Sequence, residues 1–249
     1  MTAAVLTGCV QRLAFAGVNQ ATIDVLVAEG CTVEAPAAQG CCGALALHAG
    51  NIDQARGLAR HNIEVFEKSG VDRIVVNAAG CGSSMKEYGE LLHDDPAWAG
   101  RARAFSAKVR DVSEVLMEIG EPRAQRHPIT ARVVYHDACH LAHAQGVRQP
   151  PRDLLKSIPG VELLPFAEQE ICCGSAGIYN LVEPVAAQAL GDRKAGHIAA
   201  VRPDVVATAN PGCMLQMAAG AARRADSWRV LHPIELLDAS IRGQGVNKL

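Results

Sequence analysis

The chain has 249 residues, 49% of them apolar, a formal charge of −2 and no block of like charge. That composition excludes a disordered chain, a basic nucleic-acid footprint and a strongly basic membrane patch. No apolar run reaches the roughly 18 residues of a spanning helix, and no charged start precedes an apolar core, so a soluble, cytoplasmic protein is expected.

Strands and helices alternate along the chain. "AAVLTGC" (3–9) reads as a short buried strand, "NQATIDVLVAEG" (19–30) as a helix stopped by Gly30, and "CTVEAP" (31–36) as a second strand. The loop "AQGCCGALALHAG" (38–50) follows, then a long amphipathic helix over 51–70 and a third strand, "DRIVVNAAG" (72–80). Residues 93–128 carry a helix or two and then a Pro- and charge-rich linker. The series then restarts with strand "ARVVYHDAC" (131–139), helix "PPRDLLKSI" (150–158) and strand "VELLPF" (161–166). Loop "ICCG" (171–174), a helix over 183–201 and strand "DVVATANPG" (204–212) complete it. Such alternation implies parallel sheets with helical crossovers.

The restart is a duplication. Cys9, Cys41-Cys42 and Cys81 are spaced C-x31-CC-x38-C, and Cys139, Cys172-Cys173 and Cys213 are spaced C-x32-CC-x39-C. "VRDVSEVLMEI" mirrors "VLHPIELLDAS", with Glu114 opposite Glu235. The fold class expected is α/β: two Rossmann-like repeats, each a small parallel sheet flanked by helices, related by a pseudo-two-fold. The domains are placed at 1–125 and 126–249. Cys9, Cys81, Cys139 and Cys213 fall where strands run out, and the CC pairs follow each second strand. Ligand sites in open α/β sheets lie at those strand ends, so four thiols per half should converge on one rim.

Nine cysteines in a reducing compartment favour metal binding or catalysis over disulfides. A vicinal disulfide would close a strained ring. Buried inert thiols are common, which suits Cys31 but not eight cysteines in register. Zinc accepts four thiolates, yet its usual C-x2-C knuckles are absent from the sequence. Adjacent cysteines reach different corners of a larger, softer body with ease, as an iron–sulfur cluster is. The neighbouring glycines let backbone N–H groups approach its sulfur.

"LTGCVQRLAF", "QGCCGALALHAG", "NAAGCGSSMKEYG", "YHDACHLAHAQG", "CCGSAGIYNL" and "ANPGCMLQ" resemble the cysteine-rich CCG domain family. That domain occurs in duplicate in heterodisulfide reductase subunits and in glycolate oxidase, lactate-utilisation and glycerol-3-phosphate dehydrogenase systems. The glycolate oxidase iron–sulfur type is the most similar. The resemblance implies an oxidoreductase subunit relaying electrons from a flavoprotein, catalytically incomplete alone. It also implies FAD-containing partner subunits, a ferredoxin-like domain or subunit, and at most peripheral membrane association at the inner face through partners. The alternatives are a redox protein acting on a disulfide or quinone, and a zinc-stabilised scaffold. Cys9, Cys41, Cys42, Cys81, Cys139, Cys172, Cys173 and Cys213 become the ligands of two clusters, with zinc the alternative in the first half. Ala78 and Asn210 stand where the heterodisulfide reductase pattern has a further cysteine, so an ordinary [4Fe–4S] cube is the economical expectation. No C-x2-C-x2-C-x3-C-P run occurs, so the ferredoxin-like part is either lacking or outside this chain.

Three histidines flank Cys139. His136, His140 and His143 are candidates for a cluster ligand or a proton donor, or for local hydrogen bonding. Asp137 is a candidate helix cap. Tyr179 and Asn180 are candidates for the same rim, and His48 reads as a loop residue. No G-x-G-x-x-G follows a strand and no P-loop occurs, so no nucleotide or flavin site is expected.

Overall fold

A computed structural model describes residues 1–248. The chain divides into two compact units, Met1–Arg123 and Ala124 to the chain's end. Each is a four-stranded, all-parallel sheet flanked by helices. In unit 1 the strands are β1 (Thr2–Val5), β2 (Thr32–Glu34), β3 (Arg73–Val76) and β4 (Val109–Asp111), ordered β2-β1-β3-β4. Unit 2 repeats the plan with β5 (Ala131–Tyr135), β6 (Val161–Leu164), β7 (Val205–Ala207) and β8 (Arg229–Leu231), ordered β6-β5-β7-β8.

The central strands are apolar because both faces are covered. Ala3, Ala4 and Val5 on β1 and Val133 and Val134 on β5 are fully buried. The helix Ile52–Ser69 presents Ala55, Ala59, Asn62, Ile63 and Phe66 inward, a helical stripe. Phe66 meets Phe105 edge-on at 6.1 Å, and Tyr88 stacks on Phe105 at 5.3 Å.

The chain goes from the first strand to one side for the second, then crosses to the other side for the third. That reversal opens a crevice at the carboxyl ends of the central strands. The segments leaving β1, β2 and β3 in unit 1, and β5, β6 and β7 in unit 2, carry the cysteines there.

Two strands escape a reading of the sequence: β4 and β8 run almost directly into the helices Val112–Ile119 and Pro233–Ile241, so no turn signal marks their ends, and β4 includes two charged residues. The mirrored Glu114 and Glu235 find their explanation beside them. Each closes a capping box: the Asp111 and His232 amides donate to Glu114 Oε2 and Glu235 Oε2, both at 2.8 Å. Among the described residues no helix is long and apolar enough to cross a membrane.

Candidate metal centres

In unit 1 the first strand ends in a turn at Gly8 (φ 66°), and Cys9 opens the helix Val10–Ala14. Gln39 clips the second loop to that turn: Thr7 N donates to Gln39 Oε1 at 2.7 Å, and Gln39 Nε2 donates to Val5 O at 3.0 Å. Asn62, buried on its helix, accepts from Gly40 N at 3.0 Å and donates to Cys41 O at 2.8 Å. The buried Tyr88 hydroxyl donates to Cys42 O at 2.7 Å. These clamps bring Cys41 Sγ to 3.4 Å from Cys9 Sγ and leave Gly43 N donating to Cys41 Sγ at 3.4 Å. Cys42 in turn hydrogen-bonds with Cys41 and Cys81. A chain of four sulfurs results, Cys9–Cys41–Cys42–Cys81.

Unit 2 builds the same chain, Cys139–Cys172–Cys173–Cys213. Gly174 N donates to Cys172 Sγ at 3.3 Å, and Asn210 Nδ2 lies 3.7 Å from Cys213 Sγ as its donor. Gly174 has φ 90°, and a Cβ there would stand 2.2 Å from Ala187 O, so only glycine lets the loop pass. Lys194 replaces the supporting role of Asn62: its buried ammonium donates to Glu168 O at 2.7 Å and lies 5.2 Å from the Phe166 ring centre. The four sulfurs, with Ser175 and Asn210, line a partly enclosed cavity of about 30 Å³.

Neighbouring sulfurs shift one another's acidity. The thiols of Cys9 and Cys139 are pushed up by their bonds to Cys41 and Cys172, and by burial. Cys172 is held far down by the bonds that Cys139 and Cys173 make to it. Cys213 is lowered mainly by Cys173, against the cost of burial, with His136 also contributing. Burial takes the Lys194 ammonium down to about 8. Four soft thiols strung along one rim, with a backbone amide aimed at sulfur in each unit, suit a thiolate-held iron–sulfur group.

All eight cysteines anticipated as ligands therefore gather, in two sets of four. Cys81 and Cys213 lie in the first turns of helices Ala79–Lys86 and Pro211–Arg224, not in the strand exits themselves. Cys31 is buried just before β2, at the opposite end of that strand from Cys41. Asp137 caps no helix; it pairs with Arg152 at 2.5 Å, because a nearly buried carboxylate is better compensated by a guanidinium. His143 is exposed and accepts from Arg148 at 2.9 Å, and His48, read from the sequence as a loop residue, is instead the exposed last residue of the helix Ala44–His48. His140 lines the cavity, whereas Tyr179 and Asn180 are partly exposed at the start of a short helix. His136 is fully buried, and one of its ring nitrogens lies within 4.8 Å of Cys173 and Cys213 Sγ. Gln39, Asn62, Tyr88 and Lys194 carry no spacing signal. Only the backbone carbonyls and amides that they clamp reveal their part.

Comparison with known proteins agrees with this architecture. The probable glycolate oxidase iron–sulfur subunit of Bacillus subtilis (strain 168) is 40% identical over 243 residues, covering 97% of this chain and 54% of that protein. The chain thus spans about half the length of that relative. Lactate utilization protein A of Geobacillus kaustophilus (strain HTA426) is 29% identical over 239 residues, covering 96% of this chain and 99% of that protein. The crystal structure of a hypothetical protein from Helicobacter pylori shares the fold, with a TM-score of 0.65 at 9% identity over 96% of this chain and 49% of that one. The family model of the cysteine-rich domain CCG matches residues 3–86 and again 133–218. With one copy in each unit, the chain belongs to the CCG cysteine-rich domain family.

Proposed function

We propose that the chain is an iron–sulfur electron-transfer subunit of a complex oxidising a small 2-hydroxy acid such as glycolate or lactate. The observation that supports this most is the repeated four-sulfur chain at the strand-end crevice of each unit. The names of both relatives, a probable glycolate oxidase iron–sulfur subunit and a lactate utilization protein, support it.

Cys9, Cys41, Cys42 and Cys81 hold one group, and Cys139, Cys172, Cys173 and Cys213 the other, each an ordinary [4Fe–4S] cluster. When bound, such a cluster supplies a reversible one-electron store. The protein's own task is to stabilise buried negative charge. Gly43 N and Gly174 N do so at sulfur, Asn210 does so at Cys213, and Lys194 adds a cation under the second loop. Hydride removal falls to FAD on a partner subunit, and a ferredoxin-like domain or subunit carries electrons onward. The assembly works in the cytoplasm or at the inner face of the membrane through its partners.

Anaerobically purified chain should contain about eight irons, four for each cubane cluster. Alone it should oxidise neither acid with an artificial acceptor. Mixed with a flavoprotein partner and substrate, its visible absorbance should bleach. Colourless protein holding only zinc, or oxidation of either acid by the chain unaided, overturns the reading. A brown protein that no such flavoprotein reduces points instead to action on a disulfide or quinone.

A further inference from the structure

His136 follows β5 directly, at the strand exit that also delivers Cys139. Its side chain is fully buried, and neither ring nitrogen has a hydrogen-bond partner of ordinary geometry among the described residues. Leaving a buried polar atom unpaired costs about 1–3 kcal/mol, and such atoms in native proteins call for an explanation, an absent ion being one. The ring is not aimed at random: its donor atom and the sulfurs of Cys173 and Cys213 all lie within 4.8 Å of one another. An imidazole and two thiolates at that mutual distance can share one metal atom, since tetrahedral ligands at about 2.0–2.3 Å from an ion stand roughly 3.5 Å apart.

The duplication supplies a built-in comparison. Counting back by the offset of 130 that relates Cys139 to Cys9, the position of His136 is taken in unit 1 by Leu6, which is buried among apolar neighbours. A hydrocarbon side chain fills that place at no cost in unpaired groups. Packing alone therefore does not ask for an imidazole, and His232, the other fully buried histidine, has a capping hydrogen bond at 3.1 Å to account for it. Nor is local hydrogen bonding the explanation, as it is for His143, which pairs with Arg148.

We infer that His136 is a fifth donor of the unit 2 centre, bonding iron directly through one ring nitrogen beside Cys173 and Cys213. The inference rests on the iron–sulfur reading above and revises it at one point: with a fifth donor the unit 2 centre is no longer an ordinary four-ligand cubane, so the two centres are chemically unequal. Unit 1 offers sulfur alone; unit 2 offers sulfur and nitrogen. Added beside four thiolates, a neutral imidazole leaves the charge of the ligand set unchanged, so the two centres differ in the number and type of their donors.

The test is pulsed EPR on the full chain, reduced anaerobically, with natural-abundance and ¹⁵N-labelled histidine. The expected result is one strongly coupled histidine nitrogen on the unit 2 signal. It should disappear in His136→Leu, which gives unit 2 the side chain that Leu6 gives unit 1, while the unit 1 signal stays unchanged as an internal control of folding. Should His136→Leu fail to fold, the isotope experiment on the unaltered chain decides alone. Iron present with no strongly coupled histidine nitrogen, or coupling that survives His136→Leu, overturns this inference and leaves the iron–sulfur reading standing. Absence of iron overturns both.

Discussion

Asn62 has neither charge nor reactive atom, yet it grips the first CCG loop from both sides, through Gly40 N and Cys41 O. Asn62→Ala leaves both backbone groups unpaired in a buried place and should cost about 1–3 kcal/mol. Urea unfolding would read that loss, and iron analysis should show faster release from unit 1 than from unit 2. Asp111 makes a different point. Burial raises its carboxyl from 3.8 to about 6, although the hydrogen bonds from Ser113 favour its charge. The unfolded chain then gives up the proton near pH 4 while the folded chain keeps it to about pH 6. Stability contributed by this group is present below pH 4 and falls as pH rises through 4 to 6. Asp111→Asn keeps an acceptor for Ser113 N and removes the titration. Its melting temperature, measured from pH 4 to 7, should be flatter than that of the parent; an unchanged slope would place the proton elsewhere.

At the scale of elements, the loop after each second strand depends on glycine, but unequally. A Cβ on Gly43 would come 3.3 Å from Ala55 O, whereas one on Gly174 would meet Ala187 O at 2.2 Å. Both have positive φ. Gly43→Ala should therefore cost backbone strain of about 1–3 kcal/mol. Gly174→Ala must also move the helix Pro184–Ala200 away, which puts it beyond about 4 kcal/mol, the range of severe mutations. Parallel denaturation curves should show that order, and equal losses would mean the second loop has room to yield.

For the whole molecule the relevant fact is that each unit closes its own core around its own sheet and its own sulfur chain. Loss of one centre should not empty the other. Cys42→Ser and Cys173→Ser replace a soft donor with a hard one, and each should lower bound iron by about half, removing a different EPR signal. Cys31→Ala should leave iron unchanged and cost about 1 kcal/mol in packing. Iron lost from that variant would show that the register of the repeat is wrong.

The sequence by itself determined the α/β alternation, the duplication and the eight paired cysteines, because each leaves a periodic or spaced trace that survives without coordinates. It also singled out His136, but only as one of three histidines around Cys139. Burial with unpaired ring nitrogens separates it from its exposed neighbour His143, and burial is a property of the folded chain. Asn62, Tyr88, Gln39 and Lys194 were silent for a related reason. They act on backbone atoms 21 to 46 residues away in the chain, and no local pattern encodes which amide a distant side chain will meet. β4 and β8 were silent because each runs almost directly into a capped helix, so no turn residue separates the two patterns, and the pairing with the strand beside it decides its form. What the chain carries in spacing can be read along it; what it carries in contact is decided only when the sheet has closed.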